Sequence, residues 1–407
     1  MRILLALPMV PQADGIGGFP KLLHAELNGL AERHEVTVVG TFGELPGQAE
    51  AAEQLVRSGI DAHFVDRRRS RSALRRWRVR LELASRWSLS NWPWRAVSSA
   101  GGVQPLLDRL GATRKFDLVA IEDSPMSVLR FPAGVPTVLT EHEAFRAPAS
   151  AWRAERLSER PGAALRRLDW KRWESFQPAA WRRFDLTQVF CESDADSIRE
   201  RAPDISSRVR VNPFGMVLPA ALDPAREVAG TVLFVGNFTH LPNRDAALWL
   251  AQEIMPAVRA RQPEARLRIV GSAPPREVLD LAGEQIEVVA DAPSIEDHLA
   301  QAAAVMAPVR SGGGMRIKVL EALARGKAVV TTTRGAEGYT GFEPEPPFAV
   351  ADDPEAIASA TATLLADTAR RRELGSRARE FALRHYSPSA WAARLETVYA
   401  EAREGKT

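Results

Sequence analysis

"AVMAPVRSGGGMRIKVLEALARGKAVVTT" occupies residues 304–332. Two short apolar runs, "AVMAPV" and "KAVVTT", bracket a glycine-rich turn and an amphipathic segment. Continuous apolar runs of this length read as strands buried on both faces, as in a parallel sheet. The segment between them reads as a helix starting near Gly314. At about 100° per residue, Met315, Lys318 and Glu321 share one side, while Val319, Leu320 and Leu323 supply the buried side. A strand, a crossover helix and a second strand make one βαβ unit. Gly312, Gly313 and Gly314 strip side chains from the point where free helix N–H groups are exposed. Arg316 and Lys318 lie in the first turns, where the helix dipole disfavours cations. An anionic ligand would relieve that conflict.

The same alternation runs outward through the chain. "RILLALP", "EVTVVG", "FDLVAIE", "PTVLT", "DLTQVF" and "RVRVN" read as strands in the first half. "TVLFVG", "ARLRIVG" and "IEVVA" join the two runs above in the second. Amphipathic segments such as "NRDAALWLAQEIMPAVRAR" lie between them. The pattern begins at Arg2 and restarts at Thr231, after a stretch over 214–230 rich in Pro, Gly and Ala. The expected fold is α/β, with two doubly wound Rossmann-like domains. The first covers 1–213, a linker covers 214–228, and the second covers 229–385. A terminal helix over 386–407 either completes the second domain or crosses back to the first. Ligands of such domains sit outside the carboxyl ends of the strands, and an interdomain cleft is the expected site.

The bulk numbers narrow the class. The chain has 407 residues, one cysteine and a formal net charge of +3. A lone Cys191 leaves no internal disulfide framework or multi-cysteine zinc site and fits a reducing compartment. No run approaches the roughly 20 apolar residues of a membrane-spanning helix. "MRILLALPMV" predicts a buried first strand rather than a leader, because prolines interrupt it and no small-residue cleavage site follows.

Several βα junctions carry chemistry. Gly15, Gly17 and Gly18 follow the first strand and open a helix, an arrangement suited to close approach by an anion. A dinucleotide fingerprint would want a further glycine where Pro20 stands, so NAD binding is disfavoured. His142 falls just past the strand "PTVLT", flanked by Glu141 and Glu143. Structural and ligand-contacting roles are both open to it. Asp194 and Asp196 in "SDADS" have metal-site spacing, but read locally as first-turn acids behind an N-cap at Ser193. Gly236 and Asn237 end the strand "TVLFV", and Asn243 is the expected cap of the next helix.

Together these pieces resemble a family-four, retaining glycosyltransferase of the two-domain B-type fold. The resemblance rests on the glycine loop after the first strand, the His after "PTVLT", "VNPFG" before the linker, and the stretch from "TVLFVGN" to "GAEG". A bacterial subgroup pattern, G-x-x-x-x-x-P-N-x-D-A, is matched by Gly236, Pro242, Asn243, Asp245 and Ala246. The resemblance implies a nucleotide-sugar donor, a sugar or lipid-linked acceptor, retention of anomeric configuration and no cofactor or divalent metal. Glu321 would hold the ribose, and His142 would contact the donor sugar. Gly17 and Gly18 would lie near the diphosphate and acceptor. Gly236, Asn237, Gly312, Gly313, Gly314 and Met315 would line the donor site. This chain departs from the family at three positions. Gly313 replaces the first acid of Glu-x₇-Glu, and Asn237 and Pro242 replace the usual diphosphate cations. Arg316 and Lys318 are the expected substitutes, since a departing diphosphate needs positive charge from some loop. Nucleotide-sugar epimerisation and a non-catalytic sugar-nucleotide partner remain as alternatives.

Positive charge is concentrated in the first half. Residues 67–95 hold ten Arg and one acid, a net of +9, and 146–183 carry a net of +6. The remainder is near −12. Eight of the ten Trp fall between Trp77 and Trp181, interleaved with this charge. Leu74, Trp77, Leu81 and Ala84 share one face of an expected helix. A basic, Trp-bearing amphipathic helix suits an anionic membrane surface; a solvated basic face with inward Trp is the other reading. No nucleic-acid reader motif accompanies the charge. The expected location is cytoplasmic, peripheral on the inner face of the membrane.

Overall fold

A computed structural model describes residues 1–13, 18–43, 47–67, 73–144, 162–342 and 345–405; of the side chains at 73–76 and 80 nothing is said. The chain forms two compact units. One comprises Met1–Met216 together with Pro388–Thr407, and the other comprises Val217–Ser387.

The first unit is built on seven strands: β1 (Arg2–Leu7), β2 (Glu35–Phe42), β3 (Asp61–Asp66), β4 (Leu118–Glu122), β5 (Thr137–Thr140), β6 (Leu186–Val189) and β7 (Val209–Val211). They pair in the order β3-β2-β1-β4-β5-β6-β7, every pair parallel. The second unit has β8 (Thr231–Asn237), β9 (Arg266–Ser272), β10 (Ile286–Ala290), β11 (Ala304–Ala307), β12 (Val329–Thr331) and β13 (Ala349–Val350). Their order is β10-β9-β8-β11-β12-β13, again parallel throughout. Both sheets are flanked by helices, as two Rossmann-like domains require. The continuously apolar strands are the central ones: Ile3 to Leu7 are all 0% exposed, which strands covered on both faces demand.

Each sheet reverses its winding direction once, between β1 and β4 and between β8 and β11. Loops leaving the carboxyl ends of neighbouring strands part at such a point and leave a crevice. Topology therefore selects the loops after β1, β4, β8 and β11 as candidate site loops.

Some local expectations are corrected. The edge strands β3 and β13 were not legible, because half-exposed "DAHFVD" and a two-residue pair lack a continuous apolar run. The glycine-loop helix begins at Ile317 rather than near Gly314, with Arg316 as its N-cap. The helix Glu192–Arg201 is capped at Cys191, so Ser193 already lies inside it. His240, not Asn243, precedes the helix Leu241–Trp249. That helix continues through a π turn, Leu250–Ile254, into Met255–Arg261. Pro256 lacks an N–H and its ring crowds the preceding turn, so local widening is the accommodation.

The helix Pro388–Glu404 packs against Gly18–Ala31 of the first unit. A side chain at Gly29 would come within 3.1 Å of Ala392 Cβ, so glycine lets the two helices close. Trp391, Leu395 and Tyr399 bury the contact, and Arg210 pairs with Glu401 beside it.

Candidate functional site

In the second unit the loops after β8 and β11 are stitched together by side chains. Arg310 makes a two-pronged pair with Asp245, at 2.6 and 3.0 Å, and its guanidinium lies 4.4 Å from the Trp249 ring centre. Gly312 lies under Pro242; a Cβ there would be 3.0 Å from the Pro242 ring. Lys318 Nζ donates to Asn243 Oδ1 at 2.7 Å, while Asn243 Nδ2 donates to the Asn237 carbonyl at 2.7 Å. The sequence pattern Pro242-Asn243-x-Asp245 is thus the docking edge of the glycine loop.

The glycines have separate reasons. Gly312 and Gly314 have φ of 92° and 73°, a region that side chains disfavour. Gly236 ends β8 beside Asn243; a Cβ would be 3.2 Å from Asn243 Cβ and Cγ. Gly271 ends β9, and a Cβ there would fall 1.7 Å from the Gly236 carbonyl oxygen. Sequence reading missed Gly271, whose signal was a glycine at the same strand end as Gly236.

Arg316 turns back on its own loop. Its Nη2 donates to the Gly312 carbonyl at 2.7 Å, and Nη1 donates to the Gly313 carbonyl. Tyr339, fully buried, closes the helix start: its hydroxyl donates to the Arg316 carbonyl at 2.7 Å and accepts from Leu320 N at 3.2 Å. Lys318 lies over the Phe234 ring, 4.3 Å from its centre. Burial and then the nearby Arg316 lower its pKa to about 7, against a raising contribution from Glu321. Met315 is buried beneath the loop, and Glu321 is half-buried one turn beyond Lys318. Asn237 closes an Asx turn, its Oδ1 accepting from Thr239 N and Oγ1.

In the first unit the loops after β1, β4 and β5 bring a different set together. His142 Nε2 lies 2.7 Å from Glu122 Oε2, and its ring is clasped by Phe19 and Phe190, at 4.2 and 5.0 Å between centres. Burial lowers the His142 pKa to about 4 and raises that of Glu122 to about 8. Glu26, on the buried face of Gly18–Ala31, is raised well above its ordinary range by burial and then by Glu122. Glu141 is raised too, by burial and then by Asp123; its Oε2 accepts from Trp181 Nε1 at 2.6 Å. Asp123, with φ of 73°, pairs with Arg95 at 2.5 Å. A non-glycine residue held there costs about 1–3 kcal/mol, a strain that gathers at functional sites.

Gly18 opens the helix carrying Phe19 and Glu26, while Gly17 lies outside the described residues. Sequence reading missed Glu26, Asp123 and Arg95 and left Glu122 inside an apolar strand. The available signal was an acid pair closing "LVAIED". The Asp pair of "SDADS" diverges: Asp194 accepts from Ala144 N and Cys191 Sγ, while Asp196 pairs with Arg199.

Residues 229–367 match the family described as glycosyl transferases group 1. No curated protein matches the chain by sequence. Among solved structures, HepE of Anabaena in complex with UDP is similar at 14% identity and a TM-score of 0.58, covering 98% of this chain and 99% of that one. Sucrose-phosphate synthase from Thermosynechococcus elongatus gives 16% and 0.63, with 98% of each chain covered. TarM gives 10% and 0.66, also over 98% of each. At such identities these structures establish the shared two-domain, B-type fold. Fold and family match together support a glycosyltransferase.

Proposed function

We propose that the chain transfers a sugar from a nucleotide-sugar donor to an acceptor with retention at the anomeric carbon and without a divalent metal. The observation that carries this reading is the glycine loop of 310–316, locked onto Pro242, Asn243 and Asp245 at the switch point of the group 1 domain. Its glycines leave backbone amides uncovered just ahead of the helix Ile317–Ala324, an environment suited to phosphate. Lys318 supplies the cation for the departing diphosphate, and Glu321 holds the ribose. Arg316 acts through the loop, whose carbonyls it ties together. His142 contacts the transferred sugar. Retention and the acceptor class follow from the family resemblance. A thermal-shift panel of nucleoside diphosphates tests the donor site, because a ligand at about 100 times its Kd adds ~2.7 kcal/mol to the native state. One nucleotide should raise the unfolding midpoint; a panel with no response overturns the assignment.

We further propose that the protein works at the cytoplasmic face of an anionic membrane, on a lipid-linked acceptor. In the helix Ala73–Leu89 and at the start of the next, Trp94–Ser99, Trp77 is 62% exposed, Leu89 89% and Trp94 45%, with Leu81 also outward. Trp87 faces inward instead, donating to Asp169 at 2.7 Å under the Arg172 guanidinium. Exposed apolar side chains beside Arg78 and Arg86 suit a headgroup boundary. Co-sedimentation should occur with phosphatidylglycerol vesicles and fail with phosphatidylcholine alone. Equal recovery with both would refute it. No helix among the described residues is long and apolar enough to cross a membrane.

A further inference from the structure

The polar groups at the carboxyl end of the first sheet form an ordered row. It starts on the helix Pro388–Glu404, where Arg394 donates through Nε to Asn212 Oδ1 at 3.1 Å and through Nη2 to the Pro213 carbonyl at 2.7 Å. Asn212 Nδ2 donates to Gln188 Oε1 at 3.0 Å, and Gln188 Nε2 donates to Thr140 Oγ1 at 2.8 Å. Thr140 has its oxygen occupied as acceptor, stands opposite Glu122 in the β4–β5 register, and favours the ionised Glu122 carboxyl. Asn212 directly follows β7, and Gln188, Thr140 and Glu122 stand on β6, β5 and β4. Hydrogen bonds thus run from Arg394 across β7, β6 and β5 to Thr140, the register neighbour of Glu122, and Glu122 Oε2 meets His142 Nε2 at 2.7 Å.

The charged surroundings of this pair are acidic. Asp123 disfavours ionisation of Glu122, whereas Glu26 favours it; Tyr399 reaches Glu26 Oε1 at 3.5 Å, and Asp123 has its own partner in Arg95. Glu141 lies on the far side with Trp181. Glu122 itself is 0% exposed and His142 15%. A fully buried carboxyl among acids holds its proton above the ordinary range, because desolvation and like charge both disfavour ionisation.

We propose that Glu122 is the positioning residue of His142: its carboxyl, buried at the end of the row from Arg394, decides which ring nitrogen carries the proton that a ligand meets. With Glu122 protonated, its O–H donates to Nε2 and the neutral ring carries its proton on Nδ1, a donor. When the pair loses one proton to solvent, the Glu122 proton moves onto Nε2 and the Nδ1 proton departs. The ring then donates Nε2–H to the carboxylate and offers Nδ1 as an acceptor. His142 therefore changes from donor to acceptor without becoming an imidazolium. The tautomer of His142 does not depend on the sugar-transfer reading; only the identity of the ligand it meets does.

Nitrogen shifts of ¹⁵N-histidine-labelled full-length protein, followed from pH 6 to 10 with His142 assigned through H142Q, test this without any sugar donor. In the wild type, Nδ1 and Nε2 should exchange pyrrole-type and pyridine-type shifts with a midpoint near the Glu122 value of about 8. In E122Q the exchange should vanish, the ring holding one tautomer throughout. Thr140→Val, which removes the donor favouring ionised Glu122, should move the midpoint upward and serves if E122Q fails to fold. A single wild-type tautomer across the range, an exchange that persists in folded E122Q, or an unmoved midpoint in Thr140→Val would overturn the proposal. Loss of nucleotide binding with the exchange intact would count against the donor-site assignment and leave this one standing.

Discussion

The loops of the two units solve the same problem, holding polar groups near a sheet's switch point, by opposite means. In the second unit the glycine loop is pinned by short-range partners on one neighbouring loop: Arg310 to Asp245, Gly312 under Pro242, Lys318 to Asn243. In the first unit His142 is held by Glu122, which depends on residues from β5, β6 and β7 and on a helix almost two hundred positions further along the chain. Steric fit of this kind does not tolerate added atoms. A buried polar row tolerates little loss of partners and responds to protons.

The sharpest way to break the comparison is to remove the two cations that follow the glycines. R316A/K318A should lower turnover by about 100-fold or more, the scale of losing charge stabilisation of a leaving group. Steady-state donor hydrolysis measures it, and an unchanged rate would leave the loop with a purely structural role. Gly271→Ala probes steric fit alone. Its Cβ would strike the Gly236 carbonyl, so a loss of about 1–3 kcal/mol or more is expected in chemical denaturation. A midpoint equal to the wild type would mean that β8 and β9 separate without cost.

A smaller effect separates the units by pH. Lys318 has a folded pKa near 7, below its unfolded value, so its contribution to stability increases as pH rises from about 7 toward 10.5 and is lost as pH falls through 7. Anion affinity runs the other way, declining above pH 7 as the ammonium loses its proton. Calorimetric titration with UDP as the probe anion should show that decline in the wild type and a flat profile in K318M. A decline retained in K318M would place the titrating group elsewhere. The smallest change is expected from D245N, which weakens the exposed Arg310 pair by about 1 kcal/mol or less. Proteolysis of the glycine loop should quicken slightly, and any large loss of stability would show that Asp245 carries more than this pair.

How much could be read beforehand differs between the units for a physical reason. In the second, loop chemistry is local: glycines, the "PNRD" edge and a helix start lie in two short stretches, so residue type and spacing point to the site. Even there the roles of Arg316 and Lys318 were inseparable, because only side-chain direction shows one tying loop carbonyls and the other lying over Phe234. In the first, His142 was legible from its place after a strand. Glu26 was not, since one acid on an amphipathic helix says nothing about which face it occupies. The edge strands β3 and β13 escaped as well, because exposure and shortness erase the apolar run that identifies central ones.

The sequence by itself determined the alternation of buried strands and helices, the restart that makes two Rossmann-like sheets, and the glycine loop with its cations. Those are consequences of periodicity and backbone freedom, which act over a few residues. Tertiary structure alone decided that Arg394, Asn212, Gln188, Thr140 and Glu122 align behind His142, and that the last helix returns to the first unit. Hydrogen-bond direction and desolvation depend on neighbours distant in the chain, and no short stretch of sequence carries them.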